Sequence, residues 1–318
     1  MSDATITTTD YYFPGQTGLY HGKVRDVYTI RDHFLVSVAT DRIAAFATVL
    51  PRAIPYKGQV LNQLAAHFLH ATNDIVPNWL LEVPDPNASI GSKAEPFHLE
   101  MVIRGSLIGV AWRAYQTGAR TLCGVTMPDN MDEYDCFPEP ILTPKIKVDN
   151  GHDKNISEAE ILEMGLATES QWEQLCAYTR QLFARGQEMA TARGLVLADT
   201  KYEFGITDGR IILIDEIHTP DSSRYFYKDS YEAYIGGDKR TKPVHLSKEF
   251  VHAWLVDNGY NGQPDQTLPD LPDEFVASVT QRYIELYEIL TGTSFVPADY
   301  GNAVERIEEN VTAALDQF

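Results

Sequence analysis

Residues 195–224 read LVLADTKYEFGITDGRIILIDEIHTPDSSR, and the rest of the chain is organised around this stretch. Two apolar runs, LVLAD and RIILIDE, end in carboxylates, and the segment between them carries Lys201 and Glu203. Burying a charge is costly unless the charge is paired or binds a metal, so these residues are not explained by core packing. The pattern indicates a site for a metal ion and an anion at the ends of buried strands.

The turn inside this stretch decides how its carboxylates meet. Asp208-Gly209 is a turn signal between TKYEFG and RIILIDE. A two-residue turn places Glu203 opposite Ile214, whereas a three-residue loop (208–210) places it opposite Asp215, with both carboxylates on one face. We expect the three-residue loop. Two neighbouring oxygen ligands suit Mg²⁺, and the other charges of the stretch favour this interpretation over a solvated acidic strand end.

Composition limits the classes of protein to which the chain can belong. The 318 residues carry 26 basic and 45 acidic side chains, a net charge of −19. Such acidity argues against nucleic acid or an anionic membrane as the main partner. The N-terminal MSDATITTTD lacks the basic start and apolar core of a signal peptide, and three scattered cysteines do not form a metal motif. We therefore expect a cytoplasmic protein with small-molecule substrates, either a monomer or a small homo-oligomer.

The succession of patterns predicts an α+β protein with two lobes. Residues 1–17 are expected to be a loosely tied arm, residues 18–98 a β-rich lobe, and residues 99–318 an α+β lobe that carries the metal and anion site. Segments 23–30 and 34–39 alternate as the strands of a hairpin, and 99–104 as a further strand. Residues 76–96 and 124–155 are rich in turn formers and are predicted to be mostly loop. Helices are predicted near 58–71, 107–115, 157–163, 168–193, 247–258, 272–291 and 301–318.

Other charged residues are candidates for binding anions. Lys23 and Arg25 would share a strand face beside Gly22, which suits a polyphosphate. Arg104 ends an apolar strand just before a glycine-rich helix start, which suits a phosphate or carboxylate. Taken alone, Lys23 and Arg25 are better explained as a solvated strand face, and the signal at Arg104 is weak. An ordinary surface charge also explains each of a wider set of residues, Asp41, Arg42, Lys145, Lys147, His152 and Asp153.

Taken together, the motifs resemble the SAICAR synthetase family. They are YHGKVRDVY, VATDRI, IPYKGQ, LEMVIRG, LADTKYEFG and IDEIHTPDSSRY, in that order and spread over nearly the whole chain. The resemblance implies a two-lobed, ATP-grasp-like fold with ATP in the cleft between the lobes. It also implies a reaction that joins the carboxylate of carboxyaminoimidazole ribotide to the amine of L-aspartate, with release of ADP and phosphate.

The resemblance also implies roles for individual residues. Glu203 and Asp215 would bind Mg²⁺, and Lys23 and Arg25 would lie beside the ATP phosphates. Arg104 and Arg224 would hold the ribotide. Lys201, Asp199 and Asp153 are expected to be catalytic, with Asp199 or Asp153 accepting the proton of the amine. The remaining substrate-binding candidates are Ser223, Asp41, Arg42, Lys147 and His152, and the adenine is expected against residues 94–97.

Several positions depart from the usual family pattern. DRISAFD is replaced by DRIAAFA, RGYLxGSAW by RGSLIGVAW, TPTTKA by TPKIKV, and FVRxWL by FVHAWL. The changed positions are Ala44, Ala47, Ser106, Val110, Lys145, Ile146 and His252. Most of these changes remove a polar group from the side expected to bind the acceptor substrate, and each lost hydrogen bond to an anion costs about 1.5–3 kcal/mol. Two alternatives therefore stand beside the family reaction: a divergent ligase with another carboxylate or amine, and a small-molecule kinase or nucleotide-binding module.

Overall fold

A computed structural model describes residues 5–148, 153–263 and 265–318 of the chain. Its strands are β1 (Gln16–His21), β2 (Arg25–Ile30), β3 (Phe34–Ala39), β4 (Ala44–Ala45), β5 (Thr48–Val49), β6 (Leu80–Asp85), β7 (Ala88–Ser92), β8 (Glu95–Ser106), β9 (Thr121–Leu122), β10 (Val125–Thr126), β11 (Cys136–Leu142), β12 (Lys145–Ile146), β13 (Lys154–Asn155), β14 (Leu195–Thr207), β15 (Arg210–Ile214) and β16 (Ser223–Tyr227). Its helices are α1 (Lys57–Ala71), α2 (Gly109–Gln116), α3 (Glu158–Glu163), α4 (Glu169–Thr191), α5 (Lys228–Ile235), α6 (Glu249–Asp257), α7 (Asp273–Thr291) and α8 (Ala303–Leu315). The predicted α+β class is confirmed, and none of the described helices is long and apolar enough to cross a membrane.

The first sheet has five antiparallel strands in the order β1-β2-β3-β7-β6. The predicted hairpin of β2 and β3 is confirmed: Ile30 pairs with Phe34, and Arg31 has the positive φ of a tight turn. The strand does not begin at Lys23, as expected, but at Arg25. Lys23 instead lies in the turn between β1 and β2, which the Gly22 amide closes by donating to the Arg25 carbonyl over 2.8 Å.

The N-terminal arm is packed rather than loosely tied. Ile6 and Phe13 are buried in an apolar cluster with residues of the first sheet, and the Ile6 amide donates to the Asp41 carboxylate over 2.8 Å. Ile307 and Val311 of α8 complete the same cluster, so the end of the chain packs on the N-terminal sheet. The division into lobes at residues 98 and 99 stays a prediction. Two observations complicate a boundary at this position. Helix α8, at the end of the chain, packs on the N-terminal sheet, and strand β8 continues across residue 98.

The second sheet is built on the two longest strands, β8 and β14, which pair antiparallel at its centre. Around them the order is β13-β12-β8-β14-β15, with β11 also on β8 and β16 also on β14. Helix α4 covers the sheet with a buried stripe at helical spacing that includes Leu175, Leu182 and Phe183. The capping box predicted at Ser157 is confirmed, and it satisfies the amides at the start of α3.

The two segments predicted as loops contain more strand than expected. Residues 76–96 include β6 and β7, and residues 124–155 include β11, β12 and β13. Proline argued against strand in the first segment. Pro84 is tolerated because β6 lies at the edge of its sheet, where a missing N–H breaks no ladder.

Candidate active site

The predicted register at the β14–β15 turn is wrong. Thr207 pairs with Arg210, so the turn has two residues and Glu203 lies opposite Ile214. Asp208 has a positive φ of 48° and Gly209 one of 72°, which fits a tight turn. Asp215 follows the end of β15 with a φ of 62°, and this left-handed residue re-aims the chain as it leaves the sheet. Asp215 therefore lies one residue beyond Ile214, the cross-strand partner of Glu203, and is not itself paired in this ladder.

The charge of Asp215 acts on Glu203. Burial raises the pKa of Glu203, and the nearby charge of Asp215 raises it further. Burial also acts to raise the pKa of Asp215, but Arg25 and two lysines outweigh it and lower that pKa. Within the described residues, no three histidine, cysteine or acidic side chains converge on a metal position. A cation held here would take two carboxylates from the protein and its other ligands from water or a bound phosphate, which is how Mg²⁺ is commonly bound.

Three cations surround this acidic pair. Lys147 Nζ lies 2.9 and 2.8 Å from the two carboxylate oxygens of Glu203. Lys201 Nζ lies 2.5 Å from Glu100 and 3.6 Å from Glu203. Burial would lower the pKa of Lys201, but the acidic neighbours outweigh it and raise the pKa, so the ammonium stays charged. Arg25 binds Glu216 over 2.7 Å. Lys147, Lys201 and the acidic residues that they contact therefore meet around Glu203 of β14.

A second charged group lies on the same face of β14, four residues before Glu203 in the sequence. Arg104 Nη1 and Arg224 Nη1 both donate to Asp199 Oδ2, over 2.8 and 2.6 Å. Arg104 Nε also donates to the Thr143 hydroxyl over 2.9 Å, and Arg224 reaches Glu249 on α6 at 2.9 Å. Strands β8, β14 and β16 bring these residues together because Asp199 pairs with Arg104 on one side and Arg224 on the other. The two arginines are thereby held side by side around one carboxylate.

The structure gives several predicted residues places in the framework. Asp41 is fully buried and accepts hydrogen bonds from the Ile6 and Gly58 amides, so it joins the N-terminal arm to the start of α1. Arg42 donates to Asp26 over 2.7 Å and to the Gly22 carbonyl over 2.8 Å. This fixes the turn that carries Lys23, whose side chain is exposed.

The remaining predicted residues lie at the edges of the site. The Ser223 hydroxyl is buried and lies 2.7 Å from that of Thr200. Asp153 is half-buried directly before β13. His152 lies outside the described residues.

The sequence patterns did not single out three residues that support the site. Lys57 is fully buried and binds Asp221 over 2.9 Å, which ties α1 to the loop before Arg224. Lys57 lies in the IPYKGQ motif and Asp221 in HTPDSSR, so the motif matches were a signal for both. Glu249 had no such signal, because one acidic residue at a helix start is an ordinary feature.

Several departures from the family pattern have acquired partners within the protein. The Ser106 hydroxyl is buried and lies 2.6 Å from the Tyr231 hydroxyl. Phe46 and Ala47 form the turn between β4 and β5, both with positive φ, and the Phe46 ring stacks on His252 at 4.7 Å. Burial lowers the pKa of His252 to about 4, so this histidine is neutral near pH 7.

The model of the SAICAR synthetase family matches residues 18–267. This chain belongs to the SAICAR synthetase family.

Individual relatives of the family match nearly the whole chain. Phosphoribosylaminoimidazole-succinocarboxamide synthase of Flavobacterium psychrophilum is 55% identical over 313 residues, which cover 98% of each chain. The structure of SAICAR synthase from Saccharomyces cerevisiae in complex with SAICAR has a TM-score of 0.77 and 30% identity, covering 92% of this chain and 100% of that one. A SAICAR synthetase in complex with ADP shares the fold at 22% identity, with a TM-score of 0.67 over 88% of this chain and 100% of that chain.

Proposed function

We propose that this protein is a SAICAR synthase, an ATP-dependent ligase of purine biosynthesis that joins carboxyaminoimidazole ribotide to L-aspartate. The observation that carries the proposal is the pair of charged groups on one face of β14. Asp199 with its two arginines and Glu203 with its lysines are four residues apart, or about 13 Å along a strand. A ribotide has an anionic phosphate at one end and the reacting carboxylate at the other, so it can span the two groups.

The group around Glu203 is the proposed place of carboxylate activation. Glu203 and Asp215 would hold Mg²⁺, which when bound neutralises charge on the transferring phosphoryl group. Lys23 lies exposed in the turn that Arg42 fixes, so its ammonium is free to reach the ATP phosphates. Arg25 uses one donor on Glu216 and retains others for the same phosphates.

The reaction proceeds in two transfers. An oxygen of the ribotide carboxylate attacks the γ-phosphorus of ATP, and ADP leaves with the electron pair of the broken bond. The amine of aspartate then attacks the acyl carbon, phosphate leaves, and a base takes the proton of the amine. Lys201 and Lys147 beside the carboxylates would stabilise the negative charge that moves between these groups. Much of the rate enhancement would come from holding the reactants in line.

The structure favours Asp153 over Asp199 as the acceptor of the amine proton. Asp199 is buried, and one of its oxygens already accepts from both arginines. We therefore assign Asp199 to positioning. Asp153 is only half-buried, and it directly precedes β13, whose partner strand β12 is directly followed by Lys147. Replacing Asp153 with asparagine should lower kcat while leaving the KM for the ribotide unchanged.

One observation favours a related ligase with another substrate pair. His252 is neutral near pH 7, so it lacks the charge that the arginine of the usual family pattern carries at this position. The test is release of ADP and phosphate with carboxyaminoimidazole ribotide and L-aspartate, beside a panel of other acids and amines. Turnover at an ordinary rate of about 1–10³ s⁻¹ with the purine substrates supports the proposal. Turnover with another pair alone refutes it. Formation of a stable phosphorylated product without an amine would identify a kinase.

A further inference from the structure

Helix α6 holds Arg224 from the side opposite Asp199. Glu249 Oε2 accepts from Arg224 Nε over 3.0 Å and from Nη2 over 2.9 Å. Arg224 Nη1 donates to Asp199 over 2.6 Å. A guanidinium has five N–H donors, and these contacts use three of them. Two donors therefore remain for a ligand, and both acidic partners restrict the direction in which they point.

The backbone of α2 closes a third side of the same guanidinium. A Cβ atom placed on Gly109 would lie 2.7 Å from Arg224 Nη2, and Gly109 has a φ of +56°. Any larger residue would both strain the backbone and displace the arginine. Arg224 is thus enclosed by Asp199, Glu249 and the start of α2 before any ligand binds. A side chain fixed in this way loses less conformational freedom on binding than a free arginine.

Helix α6 is itself tied to the rest of the molecule. Val251 and Leu255 are buried in the main core, and His252 stacks on Phe46 of the β4–β5 turn. Glu249 therefore extends from a helix with a fixed position. Burial would raise the pKa of Glu249, but the charge of Arg224 and the hydrogen bonds that it donates outweigh burial and lower the pKa to about 2. The carboxylate is charged throughout the range in which enzymes are assayed.

We infer that Glu249 is a positioning residue that orients Arg224 for the phosphate of the ribotide. This inference rests on the proposed function, because that function supplies the ribotide. Glu249 does not touch the reacting atoms. It sets the direction of the two free donors of Arg224, so it acts on binding of the ribotide and leaves the handling of ATP unchanged.

The test compares Glu249→Ala and Glu249→Gln with the parent enzyme by steady-state kinetics. We expect Glu249→Ala to raise the KM for the ribotide about ten- to fiftyfold, with kcat changed less than threefold and the KM for ATP less than twofold. Glu249→Gln keeps an acceptor oxygen and should give an intermediate KM. The matched control is Asp74→Ala, which breaks the ion pair between Asp74 and Arg185 away from the site. It should leave kcat and the KM values for the ribotide and for ATP unchanged.

Two results would overturn the inference. One is an unchanged ribotide KM in both variants. The other is a parallel rise of every KM together with a lower melting temperature, which would indicate a structural role only. Should Glu249→Ala not fold, Glu249→Gln alone decides between these results. If the parent enzyme does not turn over the purine substrates, the proposed function fails separately. Calorimetry with ribose 5-phosphate then tests Glu249 directly, since weaker binding in the variants supports the positioning role and equal binding refutes it.

Discussion

Replacing Asp199 with asparagine separates two roles for this carboxylate. Asp199 was expected from the sequence as a possible proton acceptor, whereas the structure places it between Arg104 and Arg224. The side chains of Asp199 and Arg104 are each 4% exposed, and that of Arg224 is 23% exposed. Asn keeps the shape of the side chain and removes its charge. The change therefore acts on the ion pairs with little disturbance of packing.

The expected loss of stability follows from the contacts removed. Hydrogen bonds to a charged group contribute about 1.5–3 kcal/mol each and neutral ones about 0.5–1.5 kcal/mol, so two such bonds lose about 2 kcal/mol in total. In the parent protein, burial lowers the pKa of Arg104 and the charge of Arg224 lowers it further. The repulsion between the two guanidinium groups is no longer offset once the carboxylate between them is replaced by a neutral amide. Leaving buried charges unpaired adds further cost. We expect Asp199→Asn to lower the free energy of unfolding by about 2–4 kcal/mol.

The assay combines urea denaturation with steady-state kinetics. A positioning role predicts the stated loss of stability together with a raised KM for the ribotide. A role as proton acceptor predicts a fall in kcat of about 10²-fold or more, since general-base catalysis contributes that much, and little change in stability. An unfolding free energy within 0.5 kcal/mol of the parent together with that fall in kcat would refute the positioning role.

Three further predictions concern the charges around this pair. Lys147→Met should tighten Mg²⁺ binding about three- to tenfold by calorimetry without nucleotide, because the partly exposed ammonium competes for Glu203; equal affinity would contradict this. Lys57→Met should cost about 3–5 kcal/mol of unfolding free energy by stranding the buried charge of Asp221, and adding Asp221→Asn should recover at least about 1 kcal/mol. The depressed pKa of Glu249 adds stability that is complete above about pH 4.5 and is lost as the pH falls towards about 2. Glu249→Gln should therefore flatten the acid limb of a stability profile measured between pH 2 and 6, and an unchanged limb would show that another carboxylate is responsible.

Local patterns predicted the elements that carry the site. The sequence pointed to a strand that ends near Asp199 and to a segment that carries Lys201 and Glu203. The structure joins both in β14, where the side-chain period of two puts the three residues on one face. The stripe of α4 and the capping box at Ser157 likewise gave the helices, since both signals lie within a few residues of sequence. These features depend on short-range geometry alone.

The rest of the site depends on contacts that sequence spacing does not contain. The register at the β14–β15 turn differs between the two possible turns by one residue, and Asp208-Gly209 is compatible with both. Asp215 leaves β15 in a left-handed backbone conformation, and the local sequence does not predict this conformation. Lys147 meets Glu203 across 56 residues of chain, so its placement is set only when β12 joins β8.

The departures from the family pattern bear on which half of the substrate pair could differ. The Ser106 hydroxyl forms a hydrogen bond with the Tyr231 hydroxyl, and the Phe46 ring stacks on His252. These changed positions therefore have interaction partners within the protein. The charges on the face of β14 keep the residue types of the family pattern and are joined by short contacts. On the proposed function, the ribotide presents one anion to Arg104 and Arg224 and its carboxylate to the group around Glu203. Among the changed positions, His252 lies near enough to Glu249 and Arg224 for their charges to act on it. On the proposed function, this change would therefore concern the anionic end of the ribotide. A panel of phosphorylated and unphosphorylated carboxylates, offered to the enzyme with L-aspartate as the fixed amine, is accordingly a sharper test than a panel of amines.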